Sequence, residues 1–170
     1  MKKFFMSIFL LLFAISSVEL VQADDNALRQ VFEGRYASMK SAMADRDGKA
    51  VSLLLAPDFT SIDVSGQSTN ATQMIQELNT LPKDPLKISN TKLLSIKVSD
   101  KIALIDQRYE MKSKKIGPDG SKRDIELVTV STDTWINSNG VWLVQRTMTN
   151  QVDYFVNGQL TIHKIRTAKP

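Results

Sequence analysis

The 170-residue sequence contains no cysteine and a single histidine, His163. Without cysteine the chain has no disulfide, no thiol nucleophile, no cysteine-bound metal and no lipid on an N-terminal cysteine. One histidine excludes zinc motifs built from paired histidines, whereas a carboxylate site for a hard cation is compatible with the composition. We therefore expect no metal, no cofactor, and a fold held together by its hydrophobic core.

A strong excess of either charge is also missing. Lysine and arginine together number 22 against 18 acidic residues, which gives a formal net charge of +4. Such a mild excess does not indicate a surface for nucleic acid or anionic lipid. The basic residues that flank the turn at 117–120 are expected to be solvated, as lysines at exposed strand ends usually are.

The N-terminal residues have the pattern of a secretory signal peptide. Lys2 and Lys3 precede a short apolar run at 4–15, and residues 21–23 end in small residues suited to cleavage after Ala23. A membrane anchor is disfavoured because a spanning helix needs about 20 apolar residues. We expect residues 1–23 to be removed, the protein to be periplasmic or secreted, and no stable membrane anchor to remain.

The residues after the signal peptide, 24–170, are expected to form one domain with a core at 26–149 and a hairpin extension at 150–165. Apolar residues spaced by three and four predict a long helix from Asp24-Asp25 to about residue 43. Asp47 is placed to cap a short helix that Pro57 closes, and Asn70 with Gln73 predicts a capping box for a third helix. Alternation and turn residues predict strands at 58–64, 86–98, 102–114, 123–136, 141–149, 152–156 and 159–163.

This order of elements resembles the nuclear transport factor 2-like superfamily, which includes SnoaL-like proteins and ketosteroid isomerases. The segment RYASMKSAMADRDGKAVSLLLAPDFTSIDVSG (35–66) has the layout of that group's opening helices and first strand. The segment DTWINSNGVW (133–142) is similar to its later signature, an Asp two residues before an aromatic residue. The resemblance implies an α+β fold, in which a cone-shaped, curved antiparallel sheet with a mixed edge wraps around a long N-terminal helix and two shorter helices.

The resemblance also implies two carboxylates with a role. Asp63 falls on the family's general base, and Asp133 falls on its second, protonated aspartate, a proton donor to the developing oxyanion. Each has a simpler interpretation. Asp63 is also typical of a strand-end carboxylate that accepts hydrogen bonds from turn amides. Asp133 is equally typical of an ion-pair partner for an arginine such as Arg108 or Arg146.

The family's oxyanion tyrosine would fall on Met39 here. Tyr36 lies one helical turn earlier on the same face, and Tyr109 lies in a central strand. Together with aromatic residues elsewhere, these side chains are candidates for a ligand pocket or, alternatively, for core packing. The candidate ligand-binding residues are Tyr36, Met39, Phe59, Tyr109 and Trp135.

The strand at 102–114 has two possible inward rows. One row, containing Asp106 and Arg108, would place an ion pair in the cavity. The other, containing Ala103, Ile105, Gln107, Tyr109 and Met111, would give an apolar wall with one amide, and this row fits better.

Two functions are compatible with these patterns. The first is an exported protein that binds a small apolar or amphipathic molecule. In its more specific form, this protein is an isomerase- or lyase-type enzyme that uses Asp63 as base and Asp133 as proton donor. The alternative is a non-catalytic interaction module of the cell envelope that forms a homodimer through its sheet face.

Overall fold

A computed structural model describes residues 16–167, and describes side chains from residue 26 onward. This part of the chain contains three helices and seven strands. The helices are α1 (Ser16–Asp45), α2 (Gly48–Ser52) and α3 (Ala71–Thr80). The strands are β1 (Leu55–Ile62), β2 (Ser68–Asn70), β3 (Ile88–Ser99), β4 (Ile102–Ile116), β5 (Lys122–Ser138), β6 (Val141–Val156) and β7 (Gln159–Ile165).

The described residues divide into two compact units, one that ends at Gly34 and one that begins at Arg35. The sheet, α2, α3 and the part of α1 from Arg35 onward belong to the second unit. Within the described ranges, no helix is both long and apolar enough to cross a bilayer. Residues 1–15 of the expected signal peptide lie outside the described part, so cleavage after Ala23 and export stay predictions.

All seven strands form one sheet, in the order β2-β1-β6-β5-β4-β3, with β7 also paired to β6. Neighbouring strands are antiparallel except for β1 and β6, which are parallel. One edge of β6 serves two partners: β1 pairs with Val144–Met148, and β7 pairs with Gln151–Val156. The predicted α+β class, with a mixed edge on an antiparallel sheet, is confirmed.

Strand β6 corrects the prediction of two strands at 141–149 and 152–156. It runs unbroken, and its pairing with β5 shifts register where Thr149 faces Ser131 and Gln151 faces Val130. Asn150 is the extra residue of this bulge, and its Nδ2 donates to Thr132 Oγ1 at 2.9 Å. A bulge bends and twists the strand locally without ending it, which is why polar residues here resembled a turn.

Strand β1 begins three residues earlier than predicted and contains Pro57. The register between β1 and β6 is irregular between Leu55 and Thr60, so the missing amide hydrogen of Pro57 falls in an unpaired stretch. Helix α2 has already ended at Ser52. The predicted role of Pro57 as the end of the helix is therefore wrong, because the proline lies inside the strand.

The hydrophobic core lies between the inner face of the sheet and the short helices. Val51 of α2 and Leu78 of α3 are buried, and Ala103 and Ile105 of β4 are fully buried. The alternation in β4 confirms the apolar inward row and rules out the row with Asp106 and Arg108. Further buried apolar side chains are Leu54, Leu55, Ala56, Phe59, Leu93, Trp135, Trp142 and Val144.

The predicted capping box of α3 is present and gives a test of local stability. Asn70 Oδ1 accepts from the Gln73 amide and Gln73 Oε1 accepts from the Asn70 amide, both at 3.0 Å. We expect Asn70→Ala to lower the free energy of unfolding by about 1 kcal/mol, measured by urea denaturation. Gln76→Ala, at an exposed mid-helix position, is the matched control and should be nearly neutral. Equal effects of the two substitutions would contradict the capping role.

Candidate functional site

A cavity of about 390 Å³ lies between the curved sheet and the helices of the second unit. This volume is at the small end of the range of ligand pockets, about 300–1,000 Å³. Its apolar lining consists of Met39, Met43, Ala44, Leu55, Phe59, Met74, Trp135 and Val144. Its polar lining consists of Tyr36, Lys40, Arg46, Ser61, Asp84, Lys87, Ser89, Thr91, Gln107, Tyr109, Thr129, Ser131, Asp133, Thr147 and Thr149.

Strand alternation explains why the sheet presents so many hydroxyl groups to the cavity. On β5, Thr129, Ser131, Asp133 and Trp135 are two residues apart and point to one face, as successive side chains of a strand alternate. Thr147 lies directly opposite Asp133 on the neighbouring strand. The sheet therefore contributes a polar surface whose only buried carboxyl group among the lining residues is that of Asp133.

Asp133 is bound to Tyr36 across the cavity. The Tyr36 hydroxyl, on the second half of α1, donates to Asp133 Oδ2 at 2.5 Å. Trp135 Nε1 donates to the same hydroxyl at 3.3 Å, and the Tyr36 and Trp135 rings meet edge to face with centroids 5.3 Å apart. Tyr36 is 97 residues from Asp133 and 99 residues from Trp135 in sequence. The three side chains nevertheless form one chain of hydrogen bonds, from indole to phenol to carboxyl group.

Burial raises the pKa of Asp133 to about 6, because the charged form loses its contact with water. The hydroxyls of Tyr36 and Thr147 oppose this increase, since they stabilise the carboxylate, and the charge of Asp106 adds to it. Burial, and then the neighbouring Asp133, raise the pKa of the Tyr36 phenol well above its usual range. Near neutral pH, therefore, Asp133 exchanges a proton readily and Tyr36 keeps its own.

Two acceptor atoms in this region have no hydrogen-bond partner among the described residues. They are Asp133 Oδ1 and Gln107 Oε1, and both are buried. Gln107 lies opposite Ser131, and Ile105 lies opposite Asp133, so the two acceptors are diagonal neighbours on adjacent strands. Leaving a buried acceptor unpaired costs about 1–3 kcal/mol. A proton on Asp133, or a donor group on a bound molecule, would remove part of that cost.

Five residues were predicted as ligand contacts, and all of them line this cavity: Tyr36, Met39, Phe59, Tyr109 and Trp135. Asp133 lines it with them. Its alternative role as an arginine partner does not apply to Arg108, because Arg108 Nε donates to Glu110 at 2.6 Å. Met39, the position aligned with the family's tyrosine, carries no hydroxyl, and the phenol that reaches Asp133 is that of Tyr36, one turn earlier.

Asp63 does not lie among the described residues that line the cavity. Its side chain is exposed at the end of β1, and Oδ1 accepts from the Ser65 amide at 2.8 Å, the Ser65 hydroxyl at 2.7 Å and the Gln67 amide at 3.0 Å. These bonds, the Ser65 hydroxyl foremost, lower the pKa of Asp63. This is the turn arrangement given above as the simpler interpretation of Asp63. A carboxylate outside the cavity, with a lowered pKa, is poorly placed to act as the general base for a molecule bound inside it.

Charged residues around the cavity mouth were missed by sequence reasoning. Lys40 lies on α1, Asp84 and Lys87 lie on the segment before β3, and Arg46 follows α1. No local pattern brings these positions together, because the helix and the segment meet only in the folded chain. Among the residues that the structure describes, no group of three acidic or histidine side chains is arranged to hold a metal ion.

No protein-family model and no curated protein matches the chain. Solved structures do match it. A conserved protein from Planctomyces limnophilus has a TM-score of 0.61 at 17% identity, covering 79% of this chain and 99% of its own. An NTF-2-like protein of unknown function from Shewanella oneidensis has a TM-score of 0.56 at 16% identity, covering 71% and 97%. Hexachlorocyclohexane dehydrochlorinase LinA-type3 from Novosphingobium barchaimii has a TM-score of 0.57 at 13% identity, covering 88% and 99%. At such identities these similarities concern the fold.

The raised pKa of Asp133 predicts a pH effect on stability. Between pH 3.8 and about 6 the native protein keeps a proton that the unfolded chain has released, so the free energy of unfolding contributed by this group falls as pH rises. The pKa difference corresponds to about 3 kcal/mol. Because part of this change falls outside the interval, the parent protein should lose about 2 kcal/mol relative to the Asp133→Asn variant between pH 4 and 7 in urea denaturation followed by tryptophan fluorescence.

Asp63→Asn is the matched control for this experiment. The folded-state pKa of Asp63 is lowered, so its contribution is present above pH 3.8 and is lost as pH falls. The two substitutions should therefore change the pH profile in opposite directions. If the free energy of unfolding varied with pH in the same way for the parent protein and for Asp133→Asn, the pKa of Asp133 would not be raised by folding.

Proposed function

On this nuclear transport factor 2-like fold, we propose that the protein binds a small amphipathic molecule in the cavity, with a polar atom of the molecule at Tyr36 and Asp133. The observation that carries the proposal is the 2.5 Å hydrogen bond between these two side chains inside a cavity that also presents apolar methionine, leucine and phenylalanine side chains. Convergent polar groups next to apolar surface in a concave site are typical of small-molecule binding. Packing alone does not need a carboxyl group there, because burying it is costly.

Proton transfer is the chemistry that this arrangement supports best. A carboxyl group with a pKa of about 6 is populated in both protonation states near neutral pH, which suits a general acid or base. When Asp133 is protonated, the direction of its hydrogen bond with Tyr36 can reverse: the Tyr36 hydroxyl then accepts from Asp133 and can donate its own proton to a ligand oxygen, while Trp135 Nε1 still donates to the same hydroxyl. In an isomerase- or lyase-type reaction, Asp133 in its neutral form is the proton donor.

The base of such a reaction has to come from the cavity itself. Asp63 is outside it, and the other lining carboxylate, Asp84, is held ionised by Lys115 and Ser113. Asp133 is therefore assigned both steps: its carboxylate removes a proton from one carbon of the substrate, and the resulting carboxyl group returns it to another carbon or to a leaving group. The dehydrochlorinase that shares the fold is named for an elimination, a reaction class that also moves a proton.

A homodimer through the sheet face is a second candidate, and one observation favours it. Ile102 and Leu104 alternate with the buried residues Ala103 and Ile105, so they lie on the face of β4 that points away from the cavity. They are 50% and 44% exposed, respectively. Exposed apolar side chains grouped on a sheet face are typical of an interaction surface. Pairing there would leave the cavity free, so the two candidates are compatible.

The binding proposal is tested by NMR of the full chain with 13C-labelled methionine methyl groups. Met39, Met43 and Met74 line the cavity, whereas Met148 does not. The neutral probe N-phenyl-1-naphthylamine should shift the signals of the first three in a saturable way, because an apolar ring system fits between them. Met148 is the internal control and should not move. Absence of saturable shifts at the three cavity methionines, both with this probe and with its sulfonated analogue 1-anilinonaphthalene-8-sulfonate, would reject the proposal.

The dimer proposal is tested by sedimentation velocity. The parent protein should sediment as a dimer at tens of micromolar, and Leu104→Lys should sediment as a monomer, because a lysine on each copy would place charges in the contact. Leu53→Lys, at an exposed apolar residue outside the sheet, is the control and should stay dimeric. A monomeric parent protein would exclude this second function.

A further inference from the structure

The charges that line the cavity are unevenly distributed along it. Lys40 and Lys87 line it and are exposed, so they stand at its mouth. Asp133 is 3% exposed and lies at the sheet, at the inner end. The enclosure therefore has a cationic entrance, an apolar middle formed by methionine and phenylalanine side chains, and a hydrogen-bonding floor.

The acidic residue at the mouth does not neutralise these two lysines. Asp84 Oδ2 accepts from Lys115 Nζ at 2.5 Å and from Ser113 Oγ at 2.6 Å. The hydrogen bond from Lys115, and then that from Ser113, lower the pKa of Asp84 to about 2, so its charge is fixed and already matched. Lys115 is not a lining residue. The charges of Asp84 and Lys115 therefore neutralise each other, and the lysines that line the cavity are left unneutralised.

Arg46 adds a third positive charge but has a structural task. Its Nη1 donates to the Met43 carbonyl at 2.6 Å, its Nε to the Leu81 carbonyl at 3.2 Å and its Nη2 to the Pro82 carbonyl at 2.8 Å. These bonds tie the end of α1 to the segment after α3. The partners of Arg46 are neutral carbonyl groups, which do not offset its positive charge. Most of its hydrogen-bond donors are nevertheless already occupied.

The Lys40 and Lys87 side chains are different, since neither ammonium group has an ion pair or hydrogen bond within the described residues; the one such bond of Lys87 outside the strands and helices is made by its backbone amide, which donates to the Asp84 carbonyl at 3.1 Å. Their ammonium groups are free to contact a molecule that enters the cavity. Two unpaired cations at the entrance of an apolar cavity favour ligands that carry a negative charge at one end.

We propose that the molecule bound in the cavity is an amphipathic organic anion, oriented with its acidic group at Lys40 and Lys87 and its apolar body reaching toward Tyr36 and Asp133. This rests on the proposed binding function and specifies its ligand class. The orientation follows from charge: an anionic group at the inner end would meet the carboxyl group of Asp133 and would lose its hydration there. At the mouth it meets two cations and remains partly hydrated.

The test compares two probes that differ mainly in one charge. 1-Anilinonaphthalene-8-sulfonate carries a sulfonate, and N-phenyl-1-naphthylamine is the same ring system without it. The full chain and its Lys40→Gln/Lys87→Gln variant are titrated with each probe by fluorescence at low salt. We expect the double substitution to weaken sulfonate binding about five- to tenfold, as the loss of two partly exposed ion pairs implies, and to change binding of the neutral probe less than about twofold.

Two controls separate a local from a general charge effect. Lys49→Gln/Lys164→Gln removes the same number of charges from exposed positions outside the cavity and should leave both affinities unchanged. Raising the salt concentration should weaken sulfonate binding to the parent protein and have little effect on the Lys40→Gln/Lys87→Gln variant, because the screened pairs are already absent. Methionine methyl signals of Met39, Met43 and Met74 report whether each probe occupies the cavity.

Each result decides between the two levels of the proposal. Selective loss of sulfonate affinity, with both probes shifting the cavity methionines, supports an anionic ligand. If both probes reach the cavity but Lys40→Gln/Lys87→Gln affects them equally, or no more than Lys49→Gln/Lys164→Gln does, the anion proposal is overturned and the binding function stands. If neither probe shifts the cavity methionines, the binding function fails, and the anion proposal fails with it. If only the sulfonate shifts them, the anion proposal is supported, and if only the neutral probe does, the anion proposal is overturned while the binding function stands.

Discussion

The hydrogen bond from Tyr36 to Asp133 is the interaction on which the site depends. It joins the second half of α1 to the middle of β5, and it does so with a carboxyl group that has lost nearly all contact with water. A hydrogen bond to a buried charged group is worth about 1.5–3 kcal/mol, whereas the buried carboxyl group alone would be a net cost. The helix is therefore held against the sheet where it forms one wall of the cavity, and the same bond limits the increase that burial causes in the pKa of Asp133.

The curvature of the sheet makes room for that cavity, and bulges are part of its origin. The shift at Asn150 lies opposite the stretch of β5 that carries Ser131 and Asp133, and a second shift separates Thr134 from Trp135. Each bulge increases the local twist and re-aims the side chains that follow it. The extra residues of the two shifts, Asn150 and Gln145, both lie on β6, so the strand that pairs with the Asp133 segment bends on either side of it, while the other face of the sheet keeps the apolar residues that could serve association.

Sequence patterns predicted the parts of this structure whose causes are local. Helical spacing, the Asn70 capping box and the alternation in β4 each act over a few residues, and the structure has all three. The resemblance placed Asp133 and the aromatic residues at one site. Patterns could not separate a bulge at Asn150 from a turn, because both use polar residues, nor show that Pro57 falls in an unpaired stretch of strand. The pair of Lys115 with Asp84 joins positions 31 residues apart and left no signal.

The position of Asp63 changes what chemistry the site can perform. A cavity with two separate carboxylates can divide base and acid between them, each with its own pKa. Here the lining offers one exchangeable carboxyl group, Asp133, beside a carboxylate, Asp84, that is already paired with a lysine. In the proposed reaction Asp133 both removes and returns the proton, so the two reacting atoms of a substrate would lie within reach of the same carboxyl oxygens. Such a reaction is a short proton shift, or an elimination, on one face of the bound molecule. A ligand anchored by its anionic end at Lys40 and Lys87 would present a single such face to the floor.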